Sequence, residues 1–197
     1  RTYSRVPQGA LRLTLVAVLI CGIGTLTWFK TVNYSRAAVI AAAGAAQSAN
    51  GDLQNALSSL DRAIDLAPDV WIYYSLRAGV YSAYRSNDLV PKEPECGAGA
   101  EAASYQRCLA ERVFLDHLAG TQQRPLNFRG RQALASSALE LAVLTGDQEL
   151  LEGVPVFFEE LTALVPAAWP LYNQLAVAYI ECGTSEAALE PLDLSLA

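Results

Sequence analysis

Methionine is absent from this 197-residue chain, and histidine occurs only once, at His117. Because translation starts at methionine, we expect the chain to be a processed product or a piece of a longer protein. A single histidine leaves too few imidazoles for most metal sites and for histidine-dependent catalytic triads. The four cysteines form no Cys-x-x-Cys pair, which argues against structural zinc and thioredoxin-like chemistry. We therefore predict no catalytic residue, no cofactor and no metal site in this segment.

Acidic residues are absent before Asp52, and all 20 Asp and Glu lie at or after that position. From Ala37 onward only nine Lys and Arg stand against these 20 acids, which leaves a net charge of −11. An acidic surface repels a phosphate backbone, so we do not expect nucleic acid as a partner.

Charge of either sign is absent from Leu13 to Phe29, an apolar stretch that Arg12 and Lys30 bracket. At ~1.5 Å per residue this stretch covers roughly 26 Å, and snorkelling of the flanking basic side chains extends it toward the ~30 Å of a bilayer core. A buried core helix rarely stays free of charge for this long, and a cleaved signal peptide would be absent from a mature chain. We predict one transmembrane helix over residues 13–32, after an N-terminal flank of residues 1–12, and membrane lipid as a partner.

Small side chains recur on one face of the predicted span, at Ala17, Cys21, Gly24 and Thr25. Such a face lets a second helix approach closely, so these residues are the candidate surface for contact with other transmembrane helices. Ordinary membrane composition produces the same pattern, and both interpretations stay open. Three arginines precede the span and two basic residues follow it, which by the positive-inside rule favours an extracytoplasmic position for the rest of the chain.

A helix-turn-helix repeat of about 34 residues can be read after the predicted span. Its first copy, residues 37–70, places small residues where two helices would touch and a bulky one between them: Gly44, Ala56, Leu60 and Ala63. The run Asn50-Gly51-Asp52 predicts the turn, with Asp52 as the N-cap of the second helix. Further copies lie at residues 71–124, 125–168 and 169–197, and the second carries an inserted loop at 86–99.

These repeats resemble tetratricopeptide repeats, and the resemblance covers residues 37–197. The resemblance implies an α-solenoid of about four helix-turn-helix repeats. Together with the predicted span, this gives an all-α fold in which a single transmembrane helix precedes the solenoid. In such arrays the first helices line a concave groove. The repeat register places these candidate groove residues there: Ile72, Ser75, Ser82, Asn173 and Val177. The groove positions carry no Lys or Arg, so we expect a small, apolar groove that holds a hydrophobic peptide or helix or packs against a neighbouring subunit.

The order of parts is also similar to the C-terminal part of O-antigen ligase-like membrane proteins. The similarity lies in a hydrophobic span followed by the segments 51–57 and 62–68, the pair Tyr73-Tyr74, and the run Arg124-Pro125-Leu126-Asn127. In that family the glycan-transferring site belongs to a multi-span portion that would precede Arg1. The resemblance therefore implies no catalytic residue within this segment.

Cys96 and Cys108 flank the end of the inserted loop, and we predict a disulfide between them. Such a bond requires an oxidising compartment, in agreement with the extracytoplasmic position that the basic residues favour. Two free thiols are the alternative.

The sequence favours a membrane-anchored scaffold that binds other protein subunits. One alternative is the C-terminal repeat domain of an O-antigen ligase-like glycosyltransferase. Another is an accessory subunit of a large membrane complex, held by the small-residue face of its span.

Overall fold

The structure is a computed structural model that describes residues 8–87, 96 and 102–196, and every regular element in these ranges is helical. The elements are α1 (Gln8–Ala49), α2 (Leu53–Leu66), α3 (Trp71–Ser86), α4 (Ala102–Gln123), α5 (Phe128–Thr145), α6 (Gln148–Leu164), α7 (Trp169–Glu181), a 3-10 turn (Ser185–Ala188) and α8 (Leu189–Leu196). Residues 1–7 of the predicted flank, most of the predicted inserted loop (88–95 and 97–99), residues 100–101 and Ala197 lie outside the described part.

Successive helices pack side by side in the order of the chain, each one mainly against the next. Short turns join most neighbours, which makes them antiparallel hairpins. The first helices of the pairs are α1, α3, α5 and α7, and the second helices are α2, α4, α6 and α8. The all-α array of about four helix pairs expected from the sequence is confirmed for the described residues.

The close approach of α1 and α2 follows from the small residues of the first repeat. A Cβ atom added at Gly44 would lie 3.0 Å from Leu60 Cγ and 3.3 Å from the carbonyl oxygen of Ala56. Ala56, Leu60 and Ala63 are all fully buried against α1 and its neighbours. Gly51 adopts φ +79°, a left-handed conformation that ends α1 and that L side chains rarely adopt.

Helix α1 runs unbroken for 42 residues from the predicted span into the first repeat. The predicted bounds left residues 33–36 unassigned between the span and the first repeat, whereas the helix continues through them. The physical reason is that no Pro or Gly occurs between Thr25 and Ala43 to end it. Among the described helices, α1 is the one long and apolar enough to cross a membrane by length and composition.

Arg77 on α3 ties three helices together. Its guanidinium donates to both carboxylate oxygens of Asp116 on α4, at 3.0 and 2.6 Å, and to Asp61 on α2 at 2.5 Å. Burial lowers the pKa of Arg77, but hydrogen bonds to the two carboxylates outweigh burial and raise it overall. Burial raises the pKa of Asp116 more than Arg77 lowers it. The bidentate geometry requires an ionised carboxylate, so we treat the contact as an ion pair.

Candidate functional site

An open groove runs across the exposed faces of α3, α5 and α7, all of them first helices of their pairs. One part of it encloses about 450 Å³ between α5 and α7, with Leu139, Asn173 and Val177 among its walls. The adjoining part, about 290 Å³, extends toward Arg85 on α3 and Val143 and Leu144 on α5. Leu139, Glu140 and Val177 line both parts, so the two form one continuous surface, called the α3–α5–α7 groove below.

The groove presents apolar side chains to solvent. Val143, Leu144 and Val177 on its walls, and Ile180 one turn beyond Val177 on α7, are each between 44% and 50% exposed. Phe158 of α6 is almost fully buried and closes the groove from below. Several half-exposed aliphatic side chains on one concave surface are typical of a site that another molecule covers.

Polar groups fix the walls of this groove relative to one another. Arg85 on α3 forms an ion pair with Glu140 on α5, with 2.8 Å between Nη1 and Oε1. Gln132 on α5 donates through Nε2 to Oε1 of Gln174 on α7 at 3.3 Å. These bridges hold three successive first helices at a set spacing, and Glu140 and Glu181 leave acidic groups beside the apolar surface.

The five residues proposed from the repeat register fall into two sets. Asn173 and Val177 line the α3–α5–α7 groove. Ile72, Ser75 and Ser82 lie on α3, where Ile72 is exposed and the two serines are half-buried, and none of the described groove walls includes them. They stay predicted groove residues.

Sequence reasoning missed the contribution of α5, because the third repeat was the most degenerate copy. The missed residues include Ser136, Leu139, Glu140 and Val143, which recur at offsets of three, four and seven along one face of the helix. Arg85 was missed because no pattern within a single repeat indicates a partner on the next first helix. Aligning α5 from Phe128, in register with Trp71 and Trp169, would have identified the α5 face.

A second cleft, of about 510 Å³, lies between α4, α5 and the start of α6. Its walls mix Phe114 and Leu150 with the charged residues Arg107, Glu111 and Glu149. This cleft is larger than either part of the α3–α5–α7 groove taken singly, but it is bounded by the second helices α4 and α6, and charged side chains make up about half of its walls. The α3–α5–α7 groove has the greater continuous apolar surface, so we regard it as the candidate binding site.

The predicted cysteine pair and the predicted membrane face occupy defined places. Cys96 and Cys108 are joined by a disulfide with a Cα–Cα distance of 5.7 Å, and Cys96 is buried in the core of α1–α4. Ala17, Cys21, Gly24 and Thr25 lie on the exposed part of α1. The Thr25 hydroxyl donates to the Cys21 carbonyl at 2.9 Å, and a Cβ atom at Gly24 would meet nothing within 4 Å.

No family model and no curated protein matches this chain. Among solved structures, the chain is similar to the crystal structure of YrrB, described as a TPR protein with an unusual peptide-binding site. The two share 15% sequence identity over 80% of this chain and 83% of that chain, with a TM-score of 0.34. At this level the likeness carries no argument about the groove of the present chain.

Proposed function

We propose that this chain is a membrane-anchored scaffold whose α3–α5–α7 groove binds a partner protein, without a catalytic role for this segment. The observation that carries the proposal is the continuous apolar groove itself, whose two parts share Leu139 and Glu140 of α5 and Val177 of α7, and which Arg85 extends to α3. Exposed aliphatic side chains in a concave site lose contact with water when a partner binds, and this contributes roughly 25 cal/mol for each Å² buried.

The charges around the groove favour a partner with mixed character. Glu140 and Glu181 flank Val177, and Arg85 is already engaged with Glu140. A peptide that places an aliphatic side chain against Val177 and a Lys or Arg beside Glu181 would satisfy both features. Partner helices or extended peptides both present such residues at regular spacing.

Membrane anchoring is supported by the apolar N-terminal half of α1. Leu19, Ile23 and Leu26 each leave more than half of their surface exposed, and this half of α1 packs against no other described element. A helix with large hydrophobic side chains on every face is stable in lipid and unstable in water. We infer that it spans a bilayer near residues 13–32, and that its face at Ala17 and Cys21 is available to other spans of a larger complex.

An extracytoplasmic position of the repeats is the favoured orientation. The distribution of basic residues around the span and the Cys96–Cys108 disulfide support it independently, because the disulfide persists only in an oxidising compartment. Alkylation of the native protein before reduction tests this orientation. Of the four cysteines, only Cys182 should react with a water-soluble reagent, because Cys21 lies within the proposed span and is shielded by lipid. Labelling of Cys96 or Cys108 would contradict the orientation.

The glycosyltransferase alternative stays a prediction from the resemblance to O-antigen ligase-like proteins. It concerns a multi-span portion beyond this sequence, and in that setting the groove would recruit a partner to the enzyme.

Selection from a displayed peptide library, with the full chain immobilised in lipid nanodiscs, tests the groove. Val177→Arg places a charge on the groove wall, and Val156→Arg is the matched control, because Val156 on α6 is 52% exposed and Val177 is 47% exposed. Peptides selected on the wild-type chain should lose binding at least tenfold with Val177→Arg, the equivalent of about 1.4 kcal/mol. They should keep it with Val156→Arg. If the selected peptides bind both variants equally well, their binding site lies outside the α3–α5–α7 groove.

A further inference from the structure

Three turns of the solenoid lie at the end of the array where the predicted span enters it. They are the turns between α2 and α3, between α4 and α5, and between α6 and α7, and together they form what we call the proximal edge (residues 66–71, 123–128 and 164–169). Because α1 rises from the span and each following helix reverses direction, every second turn must return to this edge.

The first of these turns is fixed level with the end of the span. Asp69 accepts a hydrogen bond from the Tyr34 hydroxyl, and its carboxylate lies 3.5 Å from the Lys30 ammonium nitrogen. The hydrogen bond from Tyr34 lowers the pKa of Asp69, which keeps the carboxylate ionised. Lys30 is the basic residue that bounds the charge-free stretch, so the α2–α3 turn sits at the headgroup level of a bilayer that the span crosses.

Contacts between helices bring the other two turns to the same edge. A Cβ atom at Gly120, near the end of α4, would lie 3.2 Å from the Trp71 carbonyl oxygen at the start of α3. Arg131 in the first turn of α5 pairs with Glu160 in the last turns of α6, with 3.3 Å between Nη1 and Oε2. The α4–α5 turn therefore lies beside the α2–α3 turn, and the α6–α7 turn lies beside the α4–α5 turn.

The proximal edge exposes large apolar side chains, with Arg124 in the α4–α5 turn and Arg129 just after it, in contrast to the acidic array as a whole. Leu126 is 86% exposed and Trp169 is 61% exposed, and Leu164 and Val165 add apolar surface between them. Arg124 and Arg129 are also exposed there. Asp69, the acidic residue of the three turns, pairs with Lys30. Just before the α6–α7 turn, Glu160 pairs with Arg131, and the exposed Glu159 accepts a hydrogen bond from the Tyr179 hydroxyl. At the opposite edge, the turns at 50–52 and 145–147 carry Asp52 and Asp147 and no Lys or Arg.

We infer that the proximal edge rests on the membrane surface as a second lipid contact. Trp169 and Leu126 enter the interfacial layer, and Arg124 and Arg129 meet anionic phospholipid headgroups. Tryptophan is enriched at this depth because its ring is apolar and its N–H is polar. The inference rests on the proposed anchor, since α1 is what brings the edge to the bilayer. The α3–α5–α7 groove would thereby be held at a constant height and orientation above the surface.

The three tryptophans of the chain separate this inference from the anchor itself. Trp28 lies in the predicted span, Trp71 is partly buried, and Trp169 is exposed at the edge. The full chain is reconstituted in bilayers that contain phosphatidylglycerol, with phospholipid brominated near the headgroup as the quencher. Subtracting the emission of Trp28→Phe from that of the wild-type chain gives the signal of Trp28. The same subtraction with Trp169→Phe gives the signal of Trp169.

The signals of Trp28 and Trp169 should both be quenched by the brominated lipid, and Trp169 should be shielded from aqueous iodide. The matched control is Leu189→Trp in the Trp169→Phe background. Leu189 begins α8 after the turn that closes the far edge and is 64% exposed, so a tryptophan there should be quenched by iodide and not by lipid. The double variant Arg124→Gln with Arg129→Gln should reduce the lipid quenching of Trp169, since each arginine shifts docking on an anionic surface about fivefold.

Quenching of Trp28 without quenching of Trp169 would overturn the second contact and leave the anchor intact. A lack of quenching at both positions would overturn the anchor and the proposed function with it. Equal quenching of Trp169 in phosphatidylcholine alone, or in the double arginine variant, would overturn the role assigned to anionic headgroups.

Discussion

At the scale of single residues, the two Gly-Asp turns look identical in sequence and differ in structure. Asp147 caps α6, since its carboxylate accepts from the Leu150 backbone N–H at 3.1 Å. Asp52 was predicted to cap α2 in the same way. Instead its side chain accepts from the Asn55 side-chain amide at 2.8 Å and makes no capping bond to the backbone. A side-chain competitor three residues ahead explains the difference.

This pair of aspartates yields the first prediction. Asp147→Ala should lower the free energy of unfolding by about 1 kcal/mol, because a helix N-terminal donor loses its acceptor. Asp52→Ala should cost less than half of that, because no backbone donor is lost. Urea unfolding of the detergent-solubilised chain, followed by circular dichroism, measures both. A larger loss for Asp52→Ala would contradict the capping assignment.

The single histidine predicts a pH dependence. Burial lowers the pKa of His117 on α4 below its ordinary value. The unfolded chain therefore binds a proton at a higher pH than the folded chain does. The contribution of His117 to the free energy of unfolding is fully present above the ordinary pKa of about 6.5. It is lost as pH falls through the pKa of the folded chain, by at most ~1.4 kcal/mol per pH unit. His117→Gln should flatten this slope in urea unfolding measured above and below that pH. An unchanged slope would mean that His117 titrates normally.

At the scale of helices, close approach and burial decide which side chains are permitted. The α1–α2 contact needs a glycine at position 44, whereas the equally helical Gly79 on α3 faces open space. Gly44→Leu should therefore destabilise the chain by about 1–3 kcal/mol through overpacking. Gly79→Leu should be neutral or stabilising, because leucine favours the helix more than glycine does. Thermal unfolding of both variants provides the comparison.

The Arg77 ion pairs predict a large effect of a single substitution. Arg77→Leu leaves Asp116, only 4% exposed, without its partner and should cost about 3–5 kcal/mol. Arg85→Leu is the matched control, because its partner Glu140 is about half exposed, and should cost about 0–1 kcal/mol. The double variant Arg77→Leu with Asp116→Leu should recover most of the loss in the same unfolding experiment. A loss that persists would point to the carbon chain of Arg77 and not to its charge.

At the scale of the whole molecule, buried side chains form two clusters. The first extends from Ala37 to Val113 and includes Cys96, and the second extends from Ala135 to Ala178. Repeat arrays of this kind are held by nearest-neighbour contacts, so the halves need not unfold together.

Reduction of the disulfide tests this division. Cys96 and Cys108 are 12 residues apart, and a loop of this size contributes about 3 kcal/mol in the loop-entropy model. A reducing agent should increase hydrogen exchange in α3 and α4 and leave α6 and α7 unchanged. Unchanged exchange throughout would indicate free thiols, and a uniform increase would indicate a single cooperative unit.

How much could be predicted from the sequence depends on how local each feature is. The helical repeats, the small residues at Gly44 and Ala56 and the left-handed Gly51 follow from spacing within one repeat, and the structure has them. Of the groove residues predicted from the sequence, Asn173 and Val177 line the α3–α5–α7 groove, and its role as a binding site stays a proposal. The α5 wall was missed because Leu139 and Glu140 belong to the degenerate third repeat. Its sequence matches the repeat pattern too poorly to show which residues of α5 face the groove.

The helical array and its one long apolar segment follow from the sequence alone, because periodicity and the absence of charge can be read without knowing how the helices pack. Only the tertiary structure decided that the apolar segment and the first repeat share one continuous helix, that Arg77 joins three helices, and that Arg85 reaches Glu140 across the groove. These features depend on the distance and angle between helices distant in the chain. These distances and angles are set only when the helices have packed against one another.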